Sequence, residues 1–221
     1  MNIWGLVLSY VLVFLIIGIS TVLQKAKVLG DEGARKFIHI GVSNWWILAW
    51  VFFQGENALW FAIVPPITFI LLNYYSYKTN LIKSMERSGN GNLGTVYFPI
   101  SLLILVIFTF GVINRPEIGS VGILVLGYGD GLAAVIGKAY GKRKLVDNKS
   151  LEGSLTMLLA SFIVILIVLL VAGTALVTTL IVAVVVSLLS TMIELYTPKG
   201  LDNLSVPLFS SLLVYVLLLL I

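Results

Sequence analysis

The chain has 221 residues, of which 59% are hydrophobic and only 11% are charged, with a formal net charge of +4. A soluble domain is about half apolar and a quarter charged, so this composition excludes an ordinary soluble protein and favours an integral membrane protein. The absence of cysteine excludes disulfides, thiolate nucleophiles and cysteine metal sites, and the single histidine excludes a histidine-rich metal centre.

Apolar runs that can cross a hydrocarbon core, which takes about 20 helical residues, recur along the whole chain. They predict an all-α polytopic membrane protein of about eight helices, with a range of seven to nine, that forms a single domain over residues 1–221. The first run, residues 3–23, is too long for a signal-peptide core and is expected to be retained. The others lie near residues 38–54, 57–73, 95–113, 118–137, 154–172, 174–193 and 204–221.

Two features predict breaks within the apolar runs. Pro65 and Pro66 should kink the third segment, because proline lacks the amide hydrogen that an interior helical turn needs. The long stretch after residue 154 has no charged turn, so we place the division between its two helices at Gly173-Thr174.

The basic residues indicate how the helices cross the membrane. Of the 14 Lys and Arg residues, only Arg115 falls on the second side, and the rest follow the first, third, fifth and seventh segments. Positive residues favour cytoplasmic loops, so we expect both termini outside and these four loops in the cytoplasm. The cytoplasmic set comprises Lys25, Lys27, Arg35, Lys36, Lys78, Lys83, Arg87, Lys138, Lys142, Arg143, Lys144, Lys149 and Lys199.

Asp130 is the most informative polar residue. It lies within the fifth segment, in the sequence Leu-Gly-Tyr-Gly-Asp-Gly-Leu, where an ionisable group costs roughly 2.5–3.5 kcal/mol to insert and indicates function by default. The flanking glycines allow a ligand or metal to approach the backbone closely. The alternative is that Gly127 and Gly131 form a small-residue packing face. That alternative leaves Asp130 without a partner, so we favour a functional role.

The loop after this segment is rich in glycine and cations. Residues 137–144 read Gly-Lys-Ala-Tyr-Gly-Lys-Arg-Lys, and residues 148–154 read Asn-Lys-Ser-Leu-Glu-Gly-Ser. Backbone amides and ammonium groups together suit a polyphosphate, although neither a P-loop nor a dinucleotide fingerprint is present. A basic loop that only touches anionic lipid headgroups is the alternative.

A third cluster precedes the second segment. Arg35 and His39 are four residues apart and share a helical face, and Lys36 is adjacent to His39. A histidine at the mouth of a helix can accept a proton or bind phosphate. A structural histidine with a hydrogen bond at the interface is equally compatible with the pattern.

The acidic residues predict a metal site. Glu194 and Asp202, near the start of the last loop and at its end, join Asp130 and Glu152 as four carboxylates on one side of the membrane. Phosphoryl transfer from a nucleoside triphosphate needs Mg²⁺, which one or two carboxylates hold together with phosphate oxygens. Asp202 and Asn203 are also suited to cap the last helix. Weaker candidates in the second loop are Arg87, Gly94 and Thr95.

Jointly, these motifs resemble the CTP-dependent polyprenol kinase family. That family includes phytol kinase, dolichol kinase and CTP-dependent diacylglycerol kinase, and is related to phosphatidate cytidylyltransferases. The resemblance covers nearly the whole chain, in order: Arg-Lys-x-x-His from residue 35, Gly-Asp-Gly-Leu-Ala from 129, Lys-Ser-Leu-Glu-Gly-Ser from 149, and Glu194 followed by Gly-Leu-Asp-Asn from 200. The His-Gly-Gly-x-x-Asp-Arg-x-Asp signature of the cytidylyltransferase branch is absent from the sequence, which favours a kinase.

The resemblance implies transfer of the γ-phosphoryl group of CTP to the hydroxyl of a membrane prenol such as phytol, geranylgeraniol, farnesol or a polyprenol. The products would be a lipid monophosphate and CDP, and the implied cofactor is Mg²⁺. Asp130, His39 and Glu152 would be catalytic, while Asp130, Glu152, Glu194 and Asp202 would hold the metal. The implied nucleotide-binding residues are Arg35, Lys36, Gly131, Gly137, Lys138, Gly141, Lys142, Lys149, Ser150 and Asn203.

Two other functions stay open on sequence alone. A CTP:phosphatidate-type cytidylyltransferase would use similar groups, and a transporter would need polar residues along a path to both faces. The outer loops hold only Glu56, Arg115 and Glu117, which disfavours transport. We expect a multi-pass protein of a prokaryotic cell membrane with a cytoplasmic active site, a lipid alcohol and a nucleoside triphosphate as partners, and no nucleic acid. The sequence identifies neither the alcohol nor the oligomeric state.

Overall fold

The computed structural model describes residues 1–79, 93–198 and 200–221. Over those residues the chain forms helices and turns, with one isolated antiparallel β-bridge between Lys144 and Ser150 and no strand. The predicted all-α class is therefore confirmed. The helices are α1 Asn2–Lys25, α2 Asp31–Ser43, α3 Trp45–Phe52, α4 Ala58–Ala62, α5 Val64–Thr79, α6 Gly94–Val106, α7 Pro116–Leu124, α8 Gly131–Tyr140, α9 Leu151–Val171, α10 Leu176–Tyr196 and α11 Asp202–Leu220.

Seven of the described helical segments are long and apolar enough to cross a membrane. Three of them combine neighbouring elements: α4 with α5, α6 with a π-helical extension at Ile107–Val112, and α7 with α8 through a π-helical segment at Val125–Asp130. The remaining predicted segment, residues 38–54, corresponds to α2 and α3, which are too short to cross separately. Together they cover 31–52, so the range of seven to nine crossings agrees with the structure.

The helix breaks fall where proline, glycine and asparagine direct them. The third predicted segment is interrupted at Ile63, immediately before Val64 and the two prolines, which is where the prolines predict a kink. Gly173 adopts a positive φ of 82° in the turn between α9 and α10, which confirms that division. At Asn44, between α2 and α3, the side-chain amide donates to the carbonyl of Ile40 at 2.9 Å and so satisfies an acceptor near the break.

Glycines set the position of the central crossing formed by α7 and α8. A Cβ at Gly127 would collide with Ser43, and a Cβ at Gly131 would collide with Ile40, both on α2. A Cβ at Gly129 would lie 2.5 Å from the sulfur of Met157 on α9. The small-residue packing face is therefore present, and it holds the central helix close to α2 on one side and to α9 on the other.

The two ends of the bundle differ in chemistry. At one end, the Asn2 side chain at the start of α1 bonds with Gln54 just after α3, and the Trp46 indole donates to the carbonyl of Pro116. The starts of α2, α9 and α11 and the ends of α8 and α10 gather at the other end, where most of the ionisable side chains lie. The side of the membrane on which each end lies stays a prediction.

Candidate active site

Asp130 lies in a buried ion pair with Lys36. The Lys36 ammonium is 2.5 Å from Asp130 Oδ2, and the two side chains are only 5% and 8% exposed. A single buried charge in this setting would be strongly unfavourable, so each of these charges is stabilised by its partner. The pair joins α2 to the central crossing across 94 positions of sequence, and sequence reasoning did not identify it.

The Asp130 carboxylate lies at the end of a short segment that departs from α-helical geometry. Residues Val125–Asp130 form a π-helical segment that ends at Asp130, and regular α-helix resumes at Gly131. Such segments are rare in helices and frequently mark functional sites. The glycines within it permit the close packing that keeps Asp130 facing α2.

His39 lies beside this pair on the same helix as Lys36. Its Nε2 is 3.5 Å from Asp130 Oδ2, which is too long for a good hydrogen bond, and Nε2 is buried without a hydrogen-bond partner among the described residues. In the tautomer that carries its proton on Nδ1, Nε2 is a free hydrogen-bond acceptor.

A polar cavity of about 280 Å³ opens next to Asp130 at the polar end of the bundle. Its walls come from the start of α2, from the end of the π-helical segment and from α8, from the hairpin loop before α9, from the first turn of α9, from the end of α10 and from the start of α11. Lysines and carboxylates are intermixed along these walls. The charged lining residues are Glu32, Lys36, Asp130, Lys138, Lys144, Asp147, Lys149, Glu194 and Asp202.

The loop between α8 and α9 is a short hairpin that brings Lys149 to α10. The Leu145 amide donates to the Lys149 carbonyl at 2.7 Å, and Asp147 takes a positive φ of 50° at the tip. The Lys149 ammonium lies 2.8 Å from the Glu194 carboxylate and also donates to the Glu194 carbonyl. This second ion pair connects the hairpin to the C-terminal end of α10.

Ser150 and Glu152 have clear local partners. Ser150 is the N-cap of α9, and its hydroxyl accepts from the Gly153 amide at 3.2 Å. The Glu152 carboxylate accepts from the backbone amides of Lys142 and Arg143 at 3.1 and 3.4 Å. Glu152 is not among the residues that line the polar cavity, so its contacts favour support of the loop over metal binding.

Asp202 and Asn203 begin α11 and face different spaces. Asp202 Oδ1 accepts from the amides of Gly200 and Asn203 and from the Asn203 side chain, at 2.9–3.1 Å. No bond to its other oxygen occurs within the described residues, and Asp202 lines the polar cavity. Asn203 instead lines a second cavity. The N-cap of α11 is Leu201, without a side-chain capping hydrogen bond, so the predicted capping role of Asp202 and Asn203 is wrong; both side chains bond to Gly200 in the preceding turn instead.

The second cavity, the narrow cavity, has a volume of about 60 Å³ and lies between α2 and the adjacent ends of α5, α6 and α11. Arg35, predicted to contact nucleotide, lies here and forms an ion pair with Glu32 within α2. His39 is also in its wall. The remaining lining residues are Ile38, Val42, Asn73, Gly94, Thr95, Phe98 and Asn203.

The structure brings many of the predicted site residues together. Lys36, Gly137, Lys138, Lys149 and Ser150 line the polar cavity with three of the four predicted metal ligands: Asp130, Glu194 and Asp202. The other predicted residues lie elsewhere, and the weaker candidate Arg87 falls outside the described residues. Those elsewhere are Gly131, which packs on Ile40; Gly141, which packs on Gly137 and Ser150; Lys142, which is exposed; and Arg35, His39, Glu152 and Asn203.

Sequence reasoning also missed some lining residues. Ser154, one turn after Ser150 on α9, has a buried hydroxyl without a partner among the described residues and lies in the polar cavity wall. Lys144 and Asp147 enter the cavity because the hairpin turns them inward. The i to i+4 spacing of the two serines was the available signal, since it places them on one helical face.

The described residues do not contain a preformed metal cluster. In ranges 1–79, 93–198 and 200–221, no three acidic or histidine side chains come close enough to hold an ion together. The donor set nevertheless fits Mg²⁺ that arrives with a nucleotide, because such an ion takes only one or two carboxylates and completes its shell with phosphate oxygens and water. The second Asp202 oxygen is the best-placed ligand, since Asp130 and Glu194 are each paired with a lysine.

Comparison with known proteins identifies the family that carries this arrangement. Over 202 residues, which are 89% of the chain and 84% of the relative, the chain is 31% identical to a phytol kinase of Synechocystis sp.. The chain belongs to the phytol kinase family. The polyprenol-kinase resemblance of its motifs is thereby confirmed, and with it phosphoryl transfer as the class of chemistry.

The chain is also similar to plant kinases that act on prenols by name. The chain is 31% identical to the chloroplastic phytol kinase 1 of Arabidopsis thaliana, over 87% of the chain and 69% of that protein. It is 28% identical to the chloroplastic farnesol kinase of the same plant, over 69% of the chain and 52% of that protein. No protein-family model and no solved structure matches the chain.

Proposed function

We propose that this protein is a prenol kinase that transfers the γ-phosphoryl group of CTP to the hydroxyl of a membrane-dissolved isoprenoid alcohol. The observation that carries the proposal is the polar cavity, where lysines and carboxylates surround the buried Lys36–Asp130 pair at one end of a membrane bundle. Relatives named phytol kinase and farnesol kinase support a prenol as the acceptor. The choice of CTP rests on the motif resemblance.

The cations of the polar cavity are suited to hold the triphosphate. Lys138 and Lys144 line the cavity and form no ion pair with described residues, so they are available to phosphate oxygens. Lys149 is positioned by Glu194 at the cavity wall. Ammonium groups neutralise phosphate charge as point charges, and the hydroxyl of Ser154 supplies a further donor.

Mg²⁺ would be held by Asp202 with the nucleotide's phosphates, with Glu194 and Asp130 nearby. When bound, it neutralises the charge that develops on the phosphoryl oxygens. The chain's own contribution is to keep the ion and the triphosphate at the mouth of the cavity. Lys36 holds the Asp130 carboxylate in one orientation throughout.

Asp130 and His39 are placed to handle the acceptor hydroxyl. The unpartnered His39 Nε2 accepts a hydrogen bond from the hydroxyl, and Asp130 Oδ2 lies 3.5 Å beyond it. The hydroxyl oxygen then attacks the γ-phosphorus, the bond to the bridging oxygen of the β-phosphate breaks, and CDP leaves with the electron pair. The hydroxyl proton passes to the His39–Asp130 pair.

The lipid bilayer would supply the alcohol that accepts the phosphoryl group. A prenol partitions into the bilayer with its hydroxyl at headgroup level, and the ionisable end of the bundle is where that hydroxyl would meet a nucleotide from water. The distribution of basic residues favours the cytoplasmic face of a prokaryotic cell membrane. The lipid monophosphate would remain at the same interface.

Product analysis tests this function. Purified protein in lipid nanodiscs is incubated with Mg²⁺, each of four nucleoside triphosphates, and phytol, geranylgeraniol, farnesol or diacylglycerol. We expect CDP and a prenyl monophosphate in equal amounts, with CTP the best donor. Pyrophosphate and a CDP-lipid in place of CDP would replace the kinase with a cytidylyltransferase, and no turnover with any pair would reject both.

A further inference from the structure

The narrow cavity differs from the polar cavity in size and in chemistry. Its volume of about 60 Å³ compares with about 280 Å³ for the polar cavity, which leaves no room for a nucleotide but admits the end of a small or chain-like molecule. Its walls combine five polar with three apolar side chains, without the mixed lysines and carboxylates of its neighbour.

The polarity of the narrow cavity changes with depth along α2. Arg35, Ile38 and Val42 occupy successive turns of one face of this helix. At a rise of 1.5 Å per residue, Val42 lies about 10 Å further into the bundle than Arg35. The facing helix α6 shows the same order, with Thr95 in its first turn and Phe98 one turn deeper. A polar rim thus leads to an apolar floor, which matches an alcohol end attached to a hydrocarbon.

His39 gives the narrow cavity a hydrogen-bonding group that a hydroxyl could contact. Its ring packs edge-on against Phe98 at a centroid distance of 5.4 Å. Nε2 remains as a buried acceptor without a partner among the described residues. An unsatisfied buried acceptor in a native structure calls for a ligand or water, and a hydroxyl is a donor that fits it.

Helix α2 separates the two cavities and touches both. Lys36 faces the polar cavity, whereas Arg35 and His39 face the narrow one. His39 also reaches toward the polar cavity, because its Nε2 lies 3.5 Å from the carboxylate of Asp130. A hydroxyl bound at His39 Nε2 would therefore lie next to Asp130, which lines the polar cavity where the phosphates would bind.

We propose that the narrow cavity binds the hydroxyl end of the prenol, with its O–H donated to His39 Nε2 and its first carbons packed between Val42 and Phe98. This inference rests on the proposed function, since it divides that reaction into a nucleotide side and an alcohol side. The rest of the tail extends beyond the cavity, because a volume of about 60 Å³ holds only the hydroxyl end.

Steady-state kinetics of a variant whose side chain fills the narrow cavity test whether this cavity binds the prenol. Val42→Phe adds volume to a side chain that is 9% exposed and lines the cavity. We expect the KM for farnesol and geranylgeraniol to rise at least about tenfold, while the KM for CTP stays within twofold. Val51→Phe is the matched control on the adjoining helix, because Val51 is 49% exposed and lines neither cavity. An unchanged prenol KM, or a parallel rise in the KM for CTP, would overturn the assignment.

Photolabelling gives a readout that does not depend on turnover. A farnesol analogue with a diazirine near its hydroxyl end is irradiated with the protein in nanodiscs without nucleotide, and labelled peptides are mapped. We expect label on α2 and α6 that unlabelled farnesol displaces and that His39→Leu reduces severalfold. Displaceable label on α8 and α9 instead, or none, would refute the proposal. If α2 and α6 are labelled but the protein makes no prenyl phosphate, the proposed function is refuted. The assignment of the narrow cavity as a prenol-binding site would still be supported.

Discussion

Replacing Lys36 with methionine tests how much the buried ion pair contributes to the fold. The ammonium and carboxylate are 2.5 Å apart and more than nine-tenths buried, so their Coulomb attraction at an effective dielectric of about 20 is about 7 kcal/mol. Much of that attraction is offset by the desolvation of both ions. Removing only the lysine leaves the Asp130 carboxylate buried and uncompensated, which destabilises a protein by about 3–5 kcal/mol.

The single variant at Asp130 and the double variant complete a double-mutant cycle with the Lys36 variant. Asp130→Asn leaves Lys36 as the unpaired charge, and we expect a loss of stability of similar size. The Lys36→Met/Asp130→Asn protein has no uncompensated charge at this position, so it should be no less stable than either single variant. All three proteins should lack kinase activity, because each removes the Asp130 carboxylate or the lysine that orients it.

Denaturation in mixed micelles, followed by circular dichroism and by retention of a monodisperse peak, measures the four proteins under one condition. Activity is measured on the same preparations. If the double variant loses the sum of the two single losses, the two charges are not coupled and the pair is not what holds α2 against the central helix. Near-normal turnover in a folded Asp130→Asn protein would remove Asp130 from the mechanism.

Three further changes probe the nucleotide side and the packing. Lys149→Ala removes the ion pair to Glu194 and one cavity cation, so the KM for CTP should rise about tenfold, equivalent to about 1.4 kcal/mol; a KM within twofold contradicts the assignment. Asp202→Asn keeps the oxygen that accepts from backbone amides but removes the charge, so half-saturation by Mg²⁺ should require at least about fivefold more metal, and an unchanged Mg²⁺ titration excludes Asp202 as a ligand. Gly129→Ala places a Cβ 2.5 Å from Met157 and should lower the stability by about 1–3 kcal/mol; an unchanged midpoint in thermal unfolding would show that the helices can separate there.

The layout of the crossings could be predicted because it follows from local sequence. Hydrophobic length specifies where helices lie, Pro65 and Pro66 specify a kink, and Gly173 specifies a turn. The collection of charged residues at one end of the bundle follows in the same way, since alternate loops carry them. These features need no knowledge of which helices touch.

The pairings within the site could not be predicted, because they depend on contacts between distant parts of the chain. Lys36 was expected to bind nucleotide, and only packing of α2 on the central crossing makes it the partner of Asp130. Glu152 was expected to hold metal, but the fold of the hairpin brings two backbone amides to its carboxylate first. Asp202 and Asn203 are neighbours in sequence, yet the start of α11 sends them into separate cavities.

The π-helical segment makes chain length at residues 125–130 a constraint in its own right. Each residue turns an α-helix by about 100°, and a π-turn accommodates one more residue than an α-turn. Deleting a single residue there would restore regular α-helical geometry and remove the wider turn that presents the carboxylate to Lys36, with almost no change in hydrophobicity. A protein with a shorter segment would have to present its acidic group from a regular α-helical turn, so the length of this segment matters to the site as much as its composition does.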